Sequence, residues 1–178
     1  MQAVSDKLLY HTEYLDLMQR DGWYYFAKVP GSAGGIAILL YRQGCRESIL
    51  GRYEVCPVHG DGLALTTVAG GIEEGDTPPQ TAIKESYEEA GYRLNPDQLI
   101  SLGQCNLSTN QDTVVYLFAA DVSGLIREEA PGDGTKGEEG AYCGWVQPSE
   151  AVLSKSAFMS VLILRLFILR GINLLSKA

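Results

Sequence analysis

The sequence predicts an α+β fold: a mixed β-sheet carrying one acidic helix, with a β-hairpin ahead of it and an apolar helix near the C-terminal end. Three observations predict it. Short apolar or alternating runs between turn residues read as strands. The stretch 70–92, GGIEEGDTPPQTAIKESYEEAGY, reads as a glycine loop entering a short helix. Residues 149–169 are helical in character, with an apolar run over 157–169 broken only by Arg165. The order strand, strand, loop, helix is that of an acidic helix packed on a mixed sheet.

In chain order, residues 1–30 read as a small unit of their own. Runs 14–20 and 23–29 flank Asp21-Gly22, and a DG pair between two β-rich runs is a strong hairpin signal. An isolated hairpin is marginal in water, so this one needs a partner surface. Residues 31–178 form the main domain. After the turn-rich 30–35, residues 36–41 read as a buried strand, 48–55 as another, and 63–68 as a third that runs directly into the glycine loop. Beyond the helix, 99–102 and 113–121 read as strands joined by the polar linker 108–112; the second is nearly continuous in apolar residues and so belongs at the sheet centre. Residues 130–140, with four glycines and a proline, read as a surface loop, and 142–146 as a closing strand. The apolar run of the last helix is too short and too charged for a membrane span.

Composition narrows the functions. A chain of 178 residues is one domain, or one with an appendage. A net charge of −8 provides no basic field to capture a nucleic-acid backbone. The four cysteines, Cys45, Cys56, Cys105 and Cys143, form no CxxC pair, and no signal-peptide pattern precedes them. Reduced thiols in a cytoplasmic protein are the reading. With only His11 and His59, a zinc site or a Ser-His or Cys-His pair has little material.

The helix itself is marked by local chemistry. Thr77 is placed as its N-cap, Pro78 and Pro79 fit a first turn where missing amide donors cost nothing, and Gly91 is placed to end it in a left-handed cap. Glu85, Glu88 and Glu89 then fall within one arc of about 100°, with Ile83, Ser86, Tyr87 and Ala90 on the other side. Like charges at these spacings disfavour the helix, and Glu88 and Glu89 also oppose its dipole. A divalent cation would reverse that sign, because three carboxylates beside a loop carbonyl make an oxygen-only site suited to Mg2+ or Mn2+. The alternative is a solvated acidic face on a helix rich in good helix formers.

The whole stretch resembles the Nudix hydrolase signature: Gly, five residues, Glu, seven residues, then Arg-Glu-apolar-x-Glu-Glu-x-Gly-apolar. Here Gly70 is followed after five residues by Asp76, and after seven more by Lys84-Glu85-Ser86-Tyr87-Glu88-Glu89-Ala90-Gly91-Tyr92. Both glycines and all three glutamates match, while Asp76, Lys84 and Ser86 stand where the signature has Glu, Arg and an apolar residue. The resemblance implies an α/β/α sandwich, Mg2+ (or Mn2+) held by Glu85, Glu88, Glu89 and the Ala69 carbonyl, and a brace between loop and helix at Asp76 and Lys84. An N-terminal hairpin is similar to that of the ADP-ribose and nucleoside-diphosphate-sugar branch, where it packs across a homodimer.

The activity so implied is hydrolysis of the pyrophosphate bond of a nucleoside diphosphate linked to another moiety, ADP-ribose or a nucleotide sugar first. NADH, dinucleoside polyphosphates and nucleoside triphosphates remain alternatives, as does a Nudix-fold domain that binds a nucleotide without cleaving it. Arg42, Arg46 and Arg52, near the strand ends, are the candidate substrate contacts. In the ADP-ribose branch two arginines flank the segment matching Gly51-Arg52-Tyr53-Glu54; only Arg52 stands here, with Glu54 in the other's place. By the same resemblance Glu138 or Glu139, at the end of the 130–140 loop, serves as general base; a merely solvated loop tip is the other reading.

Overall fold

The computed structural model describes residues 6–12, 15–28, 34–57, 60, 62–132 and 140–174. It is the α+β architecture expected: among the described residues, ten strands in one mixed sheet, with helices on both faces.

The centre of the sheet is β4 (Gly35–Tyr41), which runs parallel to β9 (Gln111–Asp121) over its whole length. Strand alternation divides its side chains between two cores. Ile36, Ile38 and Leu40 face one helix, α1 (Pro78–Glu88), and pack with Ala82, Ala90 and Tyr92. Ala37, Leu39 and Tyr41 face the other side, against Met159, Leu162, Ile163 and Leu166 of α3 (Ala157–Arg170). A strand buried on both faces reads as an unbroken apolar run, which is why 36–41 and 113–121 do. Arg165, the one charge in the apolar run of α3, donates to the carbonyls of Leu102 and Gln104 at 2.9 and 3.1 Å. It ties the helix to β8 (Ile100–Ser108).

β5 (Ile49–Val55) pairs antiparallel with β10 (Tyr142–Val146) and with β6 (Leu63–Thr66). The run 63–68, expected as one strand, is two. Thr67 is buried and turns its hydroxyl onto the Ile38 carbonyl at 2.6 Å. β6 stays on β5, while β7 (Val68–Gly71) crosses to β4 with Ala69 opposite Ala37 and Gly70 opposite Ile36. The glycines of the loop thus begin as sheet. The helical stretch 149–169 is also divided, into α2 (Pro148–Val152) and α3.

The hairpin is present as β2 (Leu15–Arg20) and β3 (Trp23–Lys28), in the register Arg20↔Trp23 to Leu15↔Lys28. Asp21 and Gly22 both have positive φ, 49° and 81°, as a two-residue turn matched to strand twist requires. A further strand, β1 (Lys7–His11), pairs with β2, and β3 meets the main sheet at Phe26↔Gln111. Every residue of β1 is exposed, so it carries no apolar periodicity to read. Among the described residues no helix is long and apolar enough to cross a membrane.

Candidate active site

The site forms where α1 returns over β7. Thr77 opens the helix with its amide on Gln80 Oε1 at 2.9 Å, and Gly91 (φ 74°) closes it, donating to the Tyr87 carbonyl at 2.9 Å. Ser86, fully buried where an apolar residue would sit, donates to the Ala82 carbonyl at 2.7 Å and so needs no partner from the core. The other helix face carries the glutamates.

Glu85 lies across Gly70, and a Cβ at residue 70 would occupy the space of the Glu85 carboxylate. The motif glycine is therefore a cradle. Glu89, at the helix C-cap, reaches the same strand: its Oε2 accepts the Ala69 N–H at 3.2 Å, and its Oε1 lies 3.1 Å from Nη2 of Arg52. Its side chain is 9% exposed and that of Arg52 is 5% exposed. Arg52 also donates through Nε to Glu54 Oε2 at 2.9 Å. Burial pushes Glu89 up to about 8; Arg52 and the Ala69 amide oppose the shift, while Glu85 and Glu54 add to it.

β10 supplies the floor. Cys143 stands opposite Arg52, donates to the Glu89 carbonyl at 3.4 Å, and is pushed by burial up to about 11, so it remains a thiol. Arg127 donates to the carbonyls of Ala90 and Cys143 at 2.9 and 3.2 Å, joining helix end to strand. The strap containing it is fastened at both ends of the turn, with Glu128 N–H on the Gly91 carbonyl at 2.9 Å and Gly132 N–H on the Glu88 carbonyl at 2.8 Å.

The predicted residues divide as follows. Glu85, Glu89, Ala69, Gly70 and Arg52 are brought together around β7 and the end of α1; Glu88 and Gly91 lie at the same helix end, where their carbonyls accept the Gly132 and Glu128 N–H groups. The loop-to-helix ion pair is made by Lys84, but with Glu73 at 2.9 Å rather than with Asp76. Asp76 donates its backbone N–H to the Glu73 carbonyl at 3.1 Å, so the turn places Glu73 beside the helix. Arg42 and Arg46 are engaged in the β4–β5 turn: Arg42 lies 4.1 Å over the Trp145 ring and donates to the Glu47 carbonyl at 2.9 Å, and Arg46 donates to Gln147 at 3.3 Å. Glu138, Glu139 and His59 lie outside the described residues. Cys143, Arg127 and Glu73 carry no motif. Their place follows from the β5–β10 register and the turn geometry alone.

Chemically the pocket is an oxygen-donor set with a resident guanidinium. Among the described residues no three carboxylate, thiol or imidazole groups already converge as a metal cluster. The donors nonetheless suit a hard divalent ion: Glu85 and Glu89 repel one another across the cradle, and Glu89 is buried where its charge needs a cation.

Comparison with known proteins agrees with this layout. The family model of the NUDIX domain matches residues 33–166. A crystal structure of an ADP compounds hydrolase superposes with a TM-score of 0.67 at 13% identity, covering 96% of this chain and 96% of that one; at that identity the likeness is one of fold. No curated protein matches the chain in sequence.

Proposed function

The chain belongs to the Nudix family, and we propose that it is a divalent-metal-dependent pyrophosphatase cleaving a nucleoside diphosphate linked to another moiety, with ADP-ribose or a nucleotide sugar as first choice. The observation that carries the reading is Glu89, a buried carboxylate on a strand amide with Glu85 held beside it over Gly70. The substrate class is supported by the name of the structural neighbour, an ADP compounds hydrolase, and by the N-terminal hairpin.

Glu85 and Glu89, with Glu88 and the Ala69 carbonyl, would hold Mg2+. The ion supplies charge neutralisation at the diphosphate and a more acidic water. The chain's own work is positional. Gly70 lets Glu85 approach the strand, the Ala69 amide orients Glu89, and the Lys84–Glu73 pair holds the loop against the helix. We assign the general base to Glu138 or Glu139, or to a helix glutamate not saturated by the ion. Turnover across ADP-ribose, nucleotide sugars, dinucleotides and nucleoside triphosphates, with Mg2+ and with Mn2+, tests the reading. One clear winner fixes the substrate.

A second reading, a nucleotide binder that does not cleave, is favoured by one observation: both oxygens of Glu89 already have protein partners. Tight nucleotide binding without turnover under any divalent ion would establish it.

Two further expectations arise here. Gly70→Ala should displace the Glu85 carboxylate and lower turnover about 100-fold, the scale of a 1 Å misplacement. Its melting temperature should change little, since only the end of a flexible side chain must move. The N-terminal strands, with Leu8 and Tyr10 of β1 and Trp23, Tyr24 and Phe26 of the hairpin exposed, are proposed as a homodimer element. Light scattering should give a dimer for the full chain and a monomer for a chain lacking residues 1–30; a full-length monomer sinks the idea.

A further inference from the structure

We propose that Arg52 is the resident counter-cation of the Glu89 pocket, and that Glu54 is the carboxylate that retains it when a divalent ion takes its place. The proposal rests on the Nudix reading of the site. It concerns what this chain does with the pocket before and during metal loading.

The geometry carries it. Residues 52 and 54 are two apart on β5, so their side chains share one sheet face. Arg52 uses separate nitrogens for its two carboxylates, Nη2 toward Glu89 and Nε toward Glu54. Because the guanidinium is a rigid fork, the second contact does not require the first. Glu89 is 9% exposed and Glu54 29%, so the two anions lie at the inner and outer sides of the arginine. A buried carboxylate without a cation is strongly disfavoured, which gives the metal-free pocket a need for Arg52.

A metal ion beside Glu89 would meet that guanidinium as a like charge. With Glu54 present, Arg52 keeps an ionic hydrogen-bond partner after Glu89 is released. Without Glu54, it either stays on Glu89 and competes with the ion or is left buried without that compensation, and both weaken metal binding. The same geometry redefines the role expected for Arg52 from sequence. With 5% of its side chain exposed and two carboxylates in hand, it has little to offer a substrate phosphate. It is a positioning residue.

The test is Mn2+ titration of the full-length protein by electron paramagnetic resonance, with melting temperatures measured with and without Mn2+. Glu54→Gln is expected to weaken Mn2+ binding about 10–100-fold, the usual scale for a residue behind a metal ligand. Arg52→Met is expected to melt lower than the parent without metal and to recover on adding Mn2+, so its Mn2+-induced shift exceeds the parent's. Should Arg52→Met fail to fold, Arg52→Gln, which removes the charge but keeps a hydrogen-bonding side chain, is expected to show a larger shift than the parent too.

Parent-like Mn2+ affinity in Glu54→Gln overturns the proposal, as does a parent-sized shift in the Arg52 variant, which a merely structural arginine would give. Glu89→Gln separates the two levels. If it binds Mn2+ like the parent, the metal site is not at Glu89 and both readings fall. If it loses Mn2+ while Glu54→Gln does not, only the counter-cation role falls.

Discussion

Glu89→Gln is expected to abolish most Mg2+-dependent turnover, a loss of about 1,000-fold, while the chain stays folded. The amide is isosteric and can still accept the Ala69 N–H, so the packing of the helix end on β7 is kept. What disappears is the group able to carry a buried negative charge once a cation is bound. It is the charge that the cation would need, and a neutral amide oxygen in its place supplies a ligand without that charge. Arg52 loses one anion and keeps Glu54, which limits the structural cost.

The same variant separates stability from activity through pH. Burial raises Glu89 above its ordinary value to about 8, so between pH 4.5 and 8 the folded state holds more proton at this site than the unfolded state. The contribution of this group to stability is therefore present below pH 4.5 and is lost as pH rises toward 8. Gln removes that slope. In chelator, the melting temperature of Glu89→Gln relative to the parent should climb from pH 5 to pH 8. Near-normal turnover in the variant would remove Glu89 from the machinery, and a flat difference across the pH range would mean that its carboxyl is not held protonated by burial.

The parts of the fold legible in the sequence are those written in local chemistry. Thr77, the proline pair and Gly91 bound α1, and Asp21-Gly22 sets the hairpin, because caps and tight turns depend on one or two residues with special φ or special hydrogen bonding. The doubly buried strands announced themselves as apolar runs. The misread elements share a different cause. Thr67 breaks 63–68 only because the Ile38 carbonyl lies within reach of its hydroxyl, and that contact exists only after β4 and β7 have paired. β1 has neither an apolar period nor a turn signal of its own.

The site follows the same division. The glutamate patch was visible because it lies on one helix, but its ion pairs were not. Arg52 and Glu89 are brought together by the packing of α1 on β4 and β7, which brings the helix end to Arg52 of β5, and Cys143 joins them by the register of β10. Glu73 supplants Asp76 as the partner of Lys84 because the turn at Gly75 (φ 92°) folds the loop back toward the helix. Spacing along the chain does not encode such meetings.

Gly91→Ala carries the largest expected loss of stability, about 2–4 kcal/mol. Two causes add. Gly91 has φ 74°, a conformation that costs an L-residue about 1–2 kcal/mol. A Cβ there would also run into the Glu128 carbonyl, which is backbone and cannot swing aside as a side chain would. Gly171→Ala provides the internal control. Gly171 likewise ends a helix in the left-handed region, φ 69°, with its N–H on the Phe167 carbonyl at 2.8 Å, but its Cβ direction is open. Denaturant unfolding should therefore show the torsional cost alone at residue 171 and a clearly larger loss at residue 91. Equal losses would mean that the contact with Glu128 contributes nothing. Because the strap bonds the helix end through Glu128 and Gly132 and reaches β10 through Arg127, beside the direct Cys143–Glu89 contact, displacing it should also disturb Glu88 and Glu89. Turnover in Gly91→Ala is then expected to fall at temperatures where the variant is still folded, and turnover in Gly171→Ala, far along the chain on the opposite face of the sheet, is not.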